Sequence, residues 1–136
     1  MKNLKRKKQG FTLLELVIVV IIVAILASLA LPKMFGMAET AKAVEGYRAI
    51  GTIREALERY YLRNDRTYVG GTMANLDINN PGDEAGSLFT YTISNQSPSA
   101  YRIRAARDSN PADYVQVDAS ATAITKTGGG IYKNVD

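Results

Sequence analysis

The chain has 136 residues, no cysteine, no histidine and a formal net charge of +4. That length allows one domain with a modest core, and the lack of cysteine excludes disulfides, thiol nucleophiles and cysteine-ligated metals. Without histidine the commonest general base and metal ligand are missing; an enzyme is not expected, nor is a cofactor or metal.

Residues 1–10 are basic and carry no acid: Lys2, Lys5, Arg6, Lys7 and Lys8. They are five of the 17 basic residues, so the rest of the chain sets 12 basic residues against 13 acidic ones. The basicity belongs to this leader, and nucleic acid is not expected as a partner.

From Phe11 to Leu31 only Thr12, Glu15 and Ser28 are polar. As a helix this run is about 31 Å long, close to the hydrocarbon thickness of a bilayer. Its unbroken length outweighs the strand preference of its many β-branched residues. The basic leader places the N-terminus on the cytoplasmic side. Two plainer readings are a secretory signal peptide, with small residues for cleavage around Ala27–Ala30, and a simple single-pass anchor. Glu15 fits neither well, because a carboxylate at the bilayer centre costs up to about 3 kcal/mol. Cutting after Gly10 would free the amino group of Phe11, four residues before Glu15 on one helix face. The amine could meet its own Glu15 or that of a neighbouring copy.

The stretch "KKQGFTLLELVIVVIIVAILASLALP" resembles the N-terminus of type IV prepilins and pseudopilins. The matching features are the short basic leader, Gly10, Phe11, Thr12, Leu13, Glu15 and Pro32. The resemblance implies that a membrane prepilin peptidase cuts after Gly10 and methylates the amine of Phe11. It implies further that Glu15 pairs with a neighbour's amino terminus during filament assembly. Methylation keeps the positive charge. Ala24 stands about where many pilins have a glycine.

Pro32 removes a backbone donor and crowds the carbonyl of Ser28. It is either a kink in a longer helix or a helix stop at the membrane edge. From Ala38 to Asn64 an apolar stripe recurs at Tyr47, Ile50, Ile53, Leu57 and Tyr60 or Tyr61. Glu55 and Arg59 stand in the favoured i,i+4 order. A continuous helix from Phe11 to Asn64 would be about 80 Å long, and no small domain buries such a helix alone.

Residues 64–87, rich in Gly, Asn and Asp, read as a long loop. Strands are predicted at 88–93, 100–106, 114–118 and 121–125, separated by turns at "SNQSPS" and "DSNPAD" and ended by "TGGG". Within them Tyr101, Ile103 and Ala105 face a core, while Arg102 and Arg104, with Arg107 nearby, face outward. Asp77, Asn79, Asn80, Asp83 and Glu84 have oxygen ligands of the kind that hold calcium. Their spacing fits no EF-hand loop, and the reading is a solvated turn.

The predicted fold is therefore α+β and pilin-like: a long N-terminal helix packed on a small antiparallel sheet. Residues 1–10 form a cleaved leader, 11–35 a transmembrane or filament-core half-helix, 36–64 an amphipathic half-helix, and 65–136 a loop and sheet. The expected function is a structural subunit of a type IV pilus-like filament. Its partners would be further copies of itself, the prepilin peptidase and methyltransferase, an inner-membrane assembly platform with its ATPase, and membrane lipid before assembly. The precursor would sit in the inner membrane and the filament outside or across the periplasm. The alternatives are a pseudopilin of a type II secretion system and a non-polymerising membrane-anchored binding protein.

Overall fold

A computed structural model describes residues 10–135; the basic residues of the leader lie outside the described residues. The chain divides into two compact units, residues 1–36 and 37–136. A single helix, α1 (Leu13–Arg63), contributes to both. The helix does not stop at Pro32, since helical backbone continues on both sides of it.

In the second unit α1 packs on a four-stranded antiparallel meander in the order β1-β2-β3-β4. The strands are β1 (Phe89–Ser94), β2 (Tyr101–Arg107), β3 (Asn110–Ala119) and β4 (Ile124–Gly129). The register sets Tyr91 opposite Ala105 and Ala105 opposite Val115. One step along, Ile93 faces Ile103 and Ile103 faces Val117. Alternation then sends these side chains to the helix side, where Ala43, Ile50, Ile53, Ala56 and Leu57 are buried against them. Gly46 lets the helix approach closely: a Cβ there would meet Val115 Cγ2 at 2.9 Å. The predicted stripe and the predicted inward face of β2 both hold.

The strand boundaries differ from expectation, β1 and β2 by one residue at each end and β3 and β4 by more. β3 begins at Asn110 and includes Pro111, where a turn was expected; proline is tolerated at a strand's start, where its missing N–H is not needed. β4 runs from 124 to 129, later than predicted, and passes through Gly128 and Gly129 rather than ending before them. The Tyr114 ring occupies the space where a side chain at Gly129 would lie, so packing selects glycine within the strand. The loop after α1 holds two short 3-10 turns, Met73–Asn75 and Pro81–Asp83. The expected Glu55–Arg59 pair gives way to a longer-range partner. Arg59 donates to both carboxylate oxygens of Asp77, from Nε at 3.0 Å to Oδ2 and from Nη2 at 3.0 Å to Oδ1. Bidentate geometry outcompetes a single exposed pair on one helix.

The C-terminal segment is held without a disulfide. Tyr132 is fully buried, its ring 6.1 Å from that of Phe89. The backbone amide of Ile131 donates to Asp113 Oδ1 at 3.0 Å, and Tyr47 donates its hydroxyl to the carbonyl of Val135 at 3.1 Å. Gly130 has φ +60°, the left-handed region that favours glycine, at this turn. Glu39 gathers three donors here: Lys42 Nζ at 2.8 Å, Arg107 Nη1 at 3.0 Å and the Tyr132 hydroxyl at 3.4 Å. The Lys42 hydrogen bond above all, helped by the charges of Arg107 and Lys42, holds the Glu39 carboxyl below its usual range against the opposing effect of burial. At the other end of the core, Glu58 accepts from the hydroxyls of Tyr68 at 3.0 Å and Tyr101 at 3.4 Å. Burial, seconded by Glu58, pushes the Tyr68 phenol up to about 12.

Candidate assembly site

The apolar half of α1 is exposed along its whole length, from 81% at Leu13 to 43% at Val17. The helix is long and apolar enough to cross a membrane, with a mean hydropathy of 3.0 over its most apolar window. Each polar residue in this stretch has a local partner. Ser28 Oγ donates to the carbonyl of Ile25 at 2.7 Å. The amide of Thr12 and its hydroxyl both donate to Glu15 Oε2, at 3.2 and 3.1 Å. In return the amide of Glu15 donates to Thr12 Oγ1 at 3.2 Å.

This reciprocal pair is a capping box, in which a Thr and the Glu three residues on satisfy two amides that a helix start leaves open. Thr12-Leu13-Leu14-Glu15 carries that pattern in the sequence, but the ionic reading of Glu15 concealed it. The capping donors are neutral, so the Glu15 carboxylate is hydrogen-bonded without being neutralised. Its position in the first turn also complements the helix dipole. Gly10 and Phe11 lie just before this turn, exposed and outside α1. A peptidase could therefore reach the bond between them.

The other residues singled out by the sequence do not converge on a site. Asp77 is taken by Arg59 and by Arg63, whose Nη2 lies 3.3 Å from Oδ2. The Arg59 hydrogen bond lowers the pKa of Asp77. Asn80 accepts from the amide of Gly82 and donates to Asp83, capping a short turn. Among the described residues no group of three or more His, Cys, Asp or Glu could hold a metal ion. Arg102 donates to Asp118 at 2.6 Å and Arg104 to Gln116 at 2.9 Å, across β2 and β3. Arg104 also lies over the Tyr114 ring, 4.1 Å from its centroid. Arg107 is drawn to Glu39 instead.

The family model for the prokaryotic N-terminal methylation motif matches residues 5–31, the span that holds Gly10, Phe11 and Glu15. A capped, membrane-length apolar helix carrying this motif, continued by an amphipathic half on a small antiparallel meander, gives the chain a pilin-like α+β fold. Its curated relatives include the type II secretion system core protein G of Aeromonas hydrophila, 42% identical over 62 residues. That match covers 46% of this chain and 43% of the relative. The core protein G of Escherichia coli (strain K12) is 40% identical over 58 residues, covering 43% of this chain and 40% of the relative. That of Vibrio cholerae is 42% identical over 59 residues, with the same coverage. The chain thus spans less than half the length of these relatives. No solved structure matches it.

Proposed function

We propose that this chain is the subunit of a type IV pilus-like filament. It is made as a single-pass inner-membrane precursor with its N-terminus in the cytoplasm. A prepilin peptidase cuts after Gly10, Phe11 is N-methylated, and an assembly platform with its ATPase draws the apolar half-helix from lipid into a bundle of its own kind.

The observation that carries this reading is the all-round exposure of a 21-residue apolar stretch that is charged only at Glu15. Lipid covers such a surface before assembly, and other copies cover it afterwards. The capping box keeps Glu15 hydrogen-bonded in the precursor. In the filament we assign its charge to the Phe11 amine of a neighbour, since an unpaired carboxylate in a dry bundle is expensive. That pairing would set axial register. Pro32, lacking an amide hydrogen, is where we place a kink in the helix.

The named relatives favour a second reading, in which the filament is a pseudopilus that serves type II secretion. Two measurements test these readings. Mass spectrometry of the native protein should find N-methyl Phe11 as the first residue; an intact Met1, or cleavage near Ala30, would sink both. Deleting the gene should abolish either surface fibres or release of exported proteins, and the phenotype separates pilus from pseudopilus.

A further inference from the structure

In the second unit the inner face of the sheet reaches further than the helix covers. Tyr101 pairs with Ala119 and Ala119 with Ile124, so the three side chains share the face that packs on α1. Tyr101 and Ala119 are buried, whereas Ile124 is 55% exposed. Beside Ile124 lies a cavity of about 170 Å³. Glu58 and Tyr61 of α1, Tyr68 of the loop that follows and Tyr101 of β2 line it, with Ala119 and Ile124 as an aliphatic wall. A cavity of this size has room for a group about as large as benzene.

The three rings form one cluster. Tyr61 stacks on Tyr68 with centroids 4.6 Å apart, and Tyr68 meets Tyr101 edge-on at 4.7 Å. Tyr68 and Tyr101 both donate their hydroxyls to Glu58, which fixes the carboxylate at the cavity. A phenol that donates to a carboxylate is polarised by it and carries a more electron-rich ring. Burial first, and then Glu58, pushes both phenols up, so they remain donors at neutral pH.

These neutral donors satisfy Glu58 without cancelling its charge. Among the described residues Glu58 has no ion pair within 4 Å, and the cavity lining holds no lysine or arginine. Arg54, one turn earlier on α1, is close enough for its charge to reach Tyr101, but it is not part of the lining. A metal ion would find one carboxylate here and no second. The negative charge, the electron-rich rings and the uncovered aliphatic wall each favour the same ligand, a cation that carries apolar surface.

We propose that this cavity binds an alkylammonium group, with Glu58 pairing its charge and the tyrosine rings and Ile124 packing on its carbon atoms. A lysine side chain of another polypeptide and a free polyamine share that chemistry. The site lies wholly in the second unit and stands whether or not the chain polymerises. Because Glu58 is also open to water, the affinity belongs in the millimolar range.

The test uses the full chain in detergent, titrated with tetramethylammonium while NMR follows the tyrosine ring resonances. Those of Tyr68 and Tyr101 should shift saturably. Neopentyl alcohol, of the same shape but neutral, should bind about tenfold more weakly or less. Glu58→Gln keeps the acceptor for both hydroxyls and should weaken the cation about tenfold, while Glu45→Gln, outside the cavity, should bind it as wild type does. Tyr61→Leu keeps an apolar wall and should weaken it a few-fold. Comparing Nα-acetyl-lysine methylamide with spermidine then assigns the source, the tighter binder being a polypeptide lysine or a free polyamine. Equal binding of the neutral isostere, unchanged binding by Glu58→Gln, or no shift with any ammonium up to about 100 mM would overturn the proposal.

Discussion

Glu15 and Thr12 hold each other at the start of α1, with the carboxylate 3.2 Å from the Thr12 amide and the Thr12 hydroxyl 3.2 Å from the Glu15 amide. The residue expected to wait for an intermolecular cation is therefore already engaged in its own chain. The two roles can be separated, because capping needs an acceptor and register needs a charge. Glu15→Gln keeps the acceptor and should preserve the helix start, insertion and cleavage, while filament yield falls. Glu15→Ala should lose assembly and also fray the first turn, at a cost of about 1 kcal/mol typical of lost caps. Amide exchange at residues 12–16 in detergent reads the cap, and pelleting assays read assembly. Equal filament yields for wild type and Glu15→Gln would remove the charge from the mechanism.

Glu39 should make stability depend on acid. Its folded pKa lies below the ordinary glutamate value, chiefly through the Lys42 hydrogen bond. A depressed carboxyl stabilises the fold above its unfolded pKa and loses that contribution as pH falls through the folded one. Glu39→Gln should therefore lower the melting temperature at pH 7. The gap between variant and wild type should close as pH drops below about 4.5. Thermal melts of both proteins across that window check the sign; a gap that widens in acid would mean the Glu39 cluster is not ionic.

Gly46 and Gly51 both cost the helix about 1 kcal/mol relative to alanine, yet they should respond oppositely to substitution. A Cβ at Gly51 meets nothing within 4 Å, so Gly51→Ala should stabilise by up to about 1 kcal/mol. A Cβ at Gly46 meets Val115 Cγ2 at 2.9 Å and the Phe89 ring at 3.5 Å, both on fully packed side chains. Val115 is β-branched and stiff, so it cannot swing aside. Overpacking of about 1–3 kcal/mol then outweighs the propensity gain. Gly46→Ala should melt several degrees below wild type and Gly51→Ala above it.

What the sequence revealed follows from which signals are periodic. The stripe from Ile50 to Leu57 and the alternation of Tyr101, Ile103 and Ala105 repeat at the helix and strand periods, and both face the core. Gly128 and Gly129 misled because glycine more often breaks a strand than serves within one. Only their three-dimensional neighbours explain them: the Tyr132 carbonyl beside Gly128 and the Tyr114 ring beside Gly129. Arg59 was within reach of Glu55 on the helix, but its stronger partner, Asp77, comes from a loop 18 residues away.

Tyr132 offers the last test, of how a chain without cysteine fastens its end. The side chain is fully buried, and its hydroxyl makes only a long contact of 3.4 Å to Glu39, which has two closer cationic donors. Packing should therefore dominate the anchor. Tyr132→Phe removes a weak hydrogen bond and should cost less than about 1 kcal/mol. Tyr132→Ala empties the space beside Phe89 and should cost about 3–5 kcal/mol, a large share of the stability of a domain this size. The loss should be local first, since Ile131 and Val135 are tied by one hydrogen bond each to Asp113 and Tyr47. Limited proteolysis should then release the segment after Gly130 in Tyr132→Ala and leave it protected in Tyr132→Phe. Equal release from both variants would make the hydroxyl, not the ring, the anchor.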